Sequence, residues 1–114
     1  MEVDLFACLY VHDRDSVQPW YERLLGSEPT FYPNDTEAVF ALAEHRYLYI
    51  EQSPEHAGHS QVTVFVADFD DRIAGITERG LEPAEQETYG NGVRKTTYVD
   101  PDGNRIGLGG GPAA

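Results

Sequence analysis

The chain has 114 residues, of which 40% are hydrophobic. That is enough for one modest core but not for two independent ones, so the two halves must share a core or a partner must complete it. Twenty acidic residues against eight basic give a net charge of −12, which repels phosphate backbones and argues against a nucleic-acid partner. No apolar run approaches the roughly 20 residues that a membrane-spanning helix needs. The acidic start, MEVDLFACLY, lacks the basic region of a signal peptide. The single Cys8 excludes an intrachain disulfide and suits a reducing cytoplasm.

Residues 3–11 (VDLFACLYV) are apolar and β-prone and predict a buried strand. HDRDS follows, with Asp15 or Ser16 as candidate N-cap of a helix over SVQPWYERLLG. Pro19 fits only the first turn of such a helix. Trp20 with Leu24, and Tyr21 with Leu25, fall at helical spacing and make one apolar face, and Gly26 is placed to close it. Three short strands are then expected in SEPTFYP, EAVFALA and RYLYIEQ, with turns at Pro33-Asn34-Asp35 and Glu44-His45. SPEHAGH has no periodicity and reads as a linker.

The second half repeats the order. QVTVFVADF predicts a strand and DDRIAGITERG a helix ending at Gly80. A short strand lies within LEPAEQETYGNG, another in VRKTTYVD, and PDGN turns the chain into a last strand, RIGLG. Asp13 and Asp68 each follow a strand by the same step, LYVHD matches VFVAD, and Gly26 and Gly80 each end a helix. Residues 1–114 therefore read as one domain of two repeated modules: module one over 2–52, a linker over 53–59 and module two over 60–109.

These residues resemble the vicinal-oxygen-chelate superfamily of glyoxalases, bleomycin-resistance proteins and dioxygenases. Its first module reads V-x-D, then a helix with S-x-x-F-Y-x-x-x-L-G. Here stand Val11-His12-Asp13, Ser16, Trp20-Tyr21 and Leu25-Gly26, with one extra residue between the serine and the aromatic pair. Its second module reads V-x-D, R-G and D-P-D-G-N; here stand Val66-Ala67-Asp68, Arg79-Gly80 and Asp100-Pro101-Asp102-Gly103-Asn104. The resemblance spans residues 4–109. It implies an α+β fold in which two βαβββ modules form curled mixed sheets around a concave cavity. Strand alternation within that fold places Ala7, Leu9, Val11, Leu48, Ile50, Val62, Val64, Val66, Ile106 and Leu108 under the helices. Phe6, Cys8, Tyr10, Tyr47, Tyr49, Glu51, Gln61, Thr63, Phe65, Arg105, Gly107 and Gly109 are left for the cavity.

Metal-dependent members of the superfamily place His, Gln or Glu at four cavity positions. Carried over by the motifs, these positions hold Phe6, Tyr49, Gln61 and Gly107. Phe and Gly offer no donor atom, neutral Tyr is a poor ligand, and one Gln amide cannot hold a metal. No metal, cofactor or catalytic residue is therefore expected, and His12, His45, His56 and His59 fall in turns or the linker. Cys8 has no histidine placed beside it and reads as an inert thiol.

The candidate ligand-binding residues are Phe6, Tyr10, Tyr47, Tyr49, Glu51, Gln61, Phe65 and Arg105. The rings suit stacking on a planar ligand, Glu51 a cation and Arg105 an anion, so the ligand's charge stays open. The expected function is metal-free binding of an antibiotic-like or aromatic small molecule by a homodimer, as in the bleomycin-resistance branch. The alternatives are a lyase, isomerase or dioxygenase of the same superfamily, and a protein whose fold serves only assembly.

Overall fold

The computed structural model describes residues 2–113. Strand β1 (Leu5–Val11) leads into helix α1 (Arg14–Leu25), followed by β2 (Glu37–Ala43) and β3 (Arg46–Gln52). The second module repeats this with β4 (Gln61–Phe65), α2 (Phe69–Glu78), β5 (Glu85–Thr88), β6 (Arg94–Val99) and β7 (Arg105–Gly110). The sheets have strand orders β1-β3-β2 and β4-β7-β6-β5. In each, the opening strand runs parallel to the closing strand of its own module (β1 with β3, β4 with β7), and the remaining pairs are antiparallel. The fold is α+β, two mixed open sheets with two helices, as the resemblance implied.

Three local expectations need correction. SEPTFYP forms no strand: only an isolated bridge between Phe31 and Val39 ties it to β2, so module one has three strands. Pro29 and Pro33 bracket that bridge and cannot donate to a ladder. The cap of α1 is Asp13, not Asp15 or Ser16. Its carboxylate accepts from the Ser16 amide at 2.9 Å and the Ser16 hydroxyl at 2.5 Å, bonds that hold Asp13 below the usual carboxylate range. Starting the helix at Arg14 puts Pro19 in the second turn. There it lacks the amide that would bond the Asp15 carbonyl, and its exposure leaves that carbonyl to solvent. Finally, β4 stops at Phe65, and Phe69, expected in the strand, opens α2 and is buried.

Period-2 alternation decides what each sheet buries. Leu9, Val11, Ala38, Phe40, Leu48 and Ile50 from the first sheet meet Val17, Tyr21 and Leu24 of α1. The same cluster continues into Phe69, Ile76, Leu81, Tyr98, Ile106 and Leu108 of module two. One core therefore serves both modules, with one face of each helix packed against it. Polar ties lock the joint. The Arg79 guanidinium, at the end of α2, donates to the Arg23 and Leu24 carbonyls at the end of α1, 2.5 and 3.3 Å away. It lies over Gly26, where φ is +75° and a Cβ would fall 3.1 Å from the guanidinium carbon.

The D-P-D-G-N segment is the second tie. One oxygen of Asp100 accepts from the amides of Asp102, Gly103 and Asn104, each at 2.9 Å. The other accepts from the Tyr21 hydroxyl at 2.5 Å and the Asn104 side-chain amide at 2.8 Å. Burial and the adjacent carboxylate push the Tyr21 hydroxyl far above its ordinary value, so it stays a donor. Asn104 also donates to the Tyr10 carbonyl at 2.7 Å and accepts from the Ser60 amide at 2.9 Å. His12 and Asp102 close the same seam on its outer side, 2.5 Å apart.

Candidate functional site

Because the helix-covered faces share one core, the opposite faces of the two sheets look outward. The first carries Phe6, Cys8 and Tyr10 of β1 beside Tyr47, Tyr49 and Glu51 of β3, followed by Glu37 and Val39 of β2. Phe6 stacks on Tyr47, with centroids 4.4 Å apart and planes at 11°, and meets Tyr49 edge-on at 6.4 Å. Phe31, brought alongside by its bridge to Val39, meets Tyr47 edge-on at 6.5 Å. Tyr10 turns towards the linker, 5.6 Å from the His56 ring. Phe6 remains 47% exposed and Phe31 42%, so the aromatic cluster is an open wall and not core. Phe6, Phe31, Pro33, Glu37, Val39 and Tyr49 line a groove of about 280 Å³ in this wall.

Charge is placed with purpose on this face. Glu37 and Glu51 are direct partners across the β2–β3 ladder. Like charges so paired repel unless something cationic lies between them. The neighbouring Cys8 thiol, burial and the nearby carboxylates push the Tyr49 hydroxyl up to about 12, so it keeps its proton at physiological pH. Burial likewise raises the Cys8 thiol, assisted by Glu51 and Glu37. A thiol held protonated is a poor nucleophile.

The outer face of the second sheet carries Gln61, Thr63 and Phe65 of β4 beside Arg105, Gly107 and Gly109 of β7. Phe65 is 65% exposed, and Arg105 pairs with Glu85 at 3.0 Å. Thus the eight candidate residues fall into two groups: Phe6, Tyr10, Tyr47, Tyr49 and Glu51 on one wall, and Gln61, Phe65 and Arg105 on the other. Among the described residues no side-chain hydrogen bond, ion pair or ring contact joins the groups.

Phe31, Glu37 and Lys95 escaped the sequence reading. Phe31 was hidden by the missing strand. Glu37 and Lys95 were legible in principle, since alternation applied to EAVFALA and VRKTTYVD turns both towards the outer faces. Lys95 pairs with Gly109 and leans across the sheet. A Cβ on Gly107 would lie 2.6 Å from Lys95 Cε, 3.6 Å from its Nζ and 3.3 Å from Thr63 Oγ1.

The residues present do not fit a divalent metal at the four positions to which the resemblance points. Phe6 and Gly107 supply no donor, Tyr49 holds its proton, and the Lys95 ammonium lies over Gly107, where its charge opposes a second cation. Among the described residues no group of three or more His, Cys, Asp or Glu is arranged to hold a metal ion.

Two consecutive modules, each with its first and last strands parallel and a helix packed on one face of its sheet, define the class to which this fold belongs: the paired-module α+β proteins. The chain belongs to the glyoxalase/bleomycin-resistance family within it. It is 54% identical to the glyoxalase/bleomycin resistance protein from Catenulispora acidiphila DSM 44928, over 97% of this chain and 100% of that one, with a TM-score of 0.93. A lactoylglutathione lyase from Agrobacterium tumefaciens shares the fold at 17% identity and a TM-score of 0.78, over 97% of this chain and 95% of that one. A bleomycin-binding protein solved with bleomycin does so at 20% identity and a TM-score of 0.77, over 96% and 98%. No protein-family model and no curated protein matches the sequence. No helix among the described residues is long and apolar enough to cross a membrane.

Proposed function

We propose that the protein is a metal-free binder of a small aromatic molecule, of the antibiotic or aromatic-metabolite kind, acting as a homodimer in the cytoplasm. The observation that carries this reading is the open aromatic wall: Phe6 stacked on Tyr47, flanked by Tyr49 and Phe31, with no donor set for catalytic metal chemistry among them. A planar ligand stacked there would gain the ring–ring attraction that the wall offers on its free side. A bleomycin-binding protein of the same fold, solved with bleomycin, lends support to a small-molecule ligand by fold alone.

If the reading is right, purified protein supplemented with zinc, nickel or manganese carries no stoichiometric metal by elemental analysis, and these ions leave its melting temperature unchanged. Stoichiometric metal held by Glu51 or a histidine would instead favour the metal-dependent lyase, isomerase or dioxygenase reading.

A dimer is supported by the two sheet edges. Among the strands of the described residues β1 pairs only with β3 and β4 only with β7, and neither LFACLYV nor QVTVF carries a charge. Uncharged open edges invite pairing with another chain. A groove lined by Leu5 and Ala7 of β1, Leu48 of β3 and Val62 and Val64 of β4 also takes in Arg46, Tyr47, Thr63 and Phe65. A two-fold pairing of β1 with the partner's β4 would bring the aromatic wall of one protomer against the second-module wall of the other, twice over. Sedimentation should then report a dimer at micromolar concentration; a monomer would remove the claim.

A further inference from the structure

We infer that Lys95 and Thr63, over Gly107, form a seat for a carboxylate, so that the bound molecule is an aromatic acid; the inference rests on the small-molecule reading above. Four observations on the second outer face carry it. The Lys95 stem crosses Gly107 because that residue has no side chain: a Cβ there would sit 2.6 Å from Cε. The ammonium and Thr63 Oγ1 face the same spot, 3.6 and 3.3 Å from where that Cβ would sit, because Thr63 and Gly107 are direct partners in the ladder. No carboxylate lies within ion-pairing distance of Lys95 among the described residues. Of the acids on the adjacent β5, Glu85 is engaged with Arg105 at 3.0 Å, and Glu87, the direct ladder partner of Lys95, makes no ion pair with it.

A half-buried lysine left unpaired in a chain of net charge −12 is a place where negative charge is wanted. Lysine offers one compact charge and the threonine hydroxyl one further donor, which suits a singly charged carboxylate. A doubly charged phosphate would meet one cation only, inside a strongly acidic molecule. The seat also coincides with Gly107, one of the four positions where metal-dependent relatives supply a ligand. The positive charge there is the protein's own.

The test is an amide-resolved NMR titration of the intact protein with phenylacetate, phenylacetamide and phenyl phosphate, repeated on Lys95→Met, Lys95→Arg and Gly107→Ala. Phenylacetate should shift the Thr63, Lys95 and Gly107 signals and bind about tenfold more tightly than the amide, the scale of one charge-assisted hydrogen bond. Lys95→Met should abolish that preference. Lys95→Arg should restore part of it, and Gly107→Ala, which displaces the lysine stem, should weaken it. Equal binding of acid and amide, an unchanged preference in Lys95→Met, or tighter binding of phenyl phosphate than of phenylacetate would overturn the carboxylate seat. An aromatic library scanned in parallel separates the two readings. Neutral aromatics bound at Phe6 and Tyr49 with no carboxylate preference would sink the seat alone, whereas a library in which nothing binds would sink the small-molecule reading with it.

Discussion

Leu48→Ala should destabilise the protein by roughly 2–5 kcal/mol, whereas Tyr49→Ala, one residue along the same strand, should cost far less. Leu48 is 1% exposed and packs in the shared core, so its truncation leaves a cavity that both modules border. Tyr49 lies on the outer face, half-buried, where its ring makes one edge contact with Phe6. Losing it opens no cavity, because that side already faces solvent. Paired urea unfolding curves, with slopes compared to confirm a common unfolded state, check the order. Tyr49→Ala should nonetheless abolish binding of aromatic probes if the wall is the binding surface. A Tyr49 variant less stable than the Leu48 variant would mean that the two faces of β3 are exchanged, since a one-residue slip turns every side chain over.

Asp100→Ala should be at least as damaging, roughly 3 kcal/mol or more. Its carboxylate accepts five hydrogen bonds while only 4% of the residue is exposed. Bonds to a charged acceptor contribute about 1.5–3 kcal/mol, and each buried donor left behind adds about 1–3 kcal/mol. Tyr21→Phe removes only one of the five and should cost less, about 1.5–3 kcal/mol. A double-mutant cycle between the two should return a coupling well above the error of measurement, because Tyr21 belongs to module one and Asp100 to module two. Additive effects would show that the bond does not tie the modules together. Both variants also probe a motif whose turn chemistry is plain in sequence but whose role as a joint is not.

The metal positions show how far a family pattern carries. The motif spacing led to Phe6, Tyr49, Gln61 and Gly107 by counting alone, and the donor chemistry of those side chains could be judged without coordinates. What stands over Gly107 could not. Lys95 reaches it from the neighbouring strand, diagonally across the sheet, and such a contact depends on strand register and on a rotamer. Phe31 is a similar case. Its segment reads as a strand by composition, yet two prolines reduce it to one bridge, and that bridge still delivers the ring to the aromatic wall.

The chain's own sequence determined its modules, the order of its elements and the faces of its strands. These follow from local causes: a two-residue period sorts side chains by face, Gly26 and Gly80 stop helices, and D-P-D-G-N makes a turn wherever it occurs. Tertiary structure alone decided how the faces are disposed. Alternation states that Phe6 and Phe65 lie opposite the helices, but not that the helices of both modules are packed into one core. That arrangement is set by contacts between residues far apart in the chain, Tyr21 with Asp100 and Arg79 with Arg23 and Leu24, which no local pattern encodes. Those contacts bring the helix-covered faces of both sheets into one core and leave the aromatic wall of Phe6, Tyr47 and Tyr49 and the Lys95–Gly107 face uncovered by the helices.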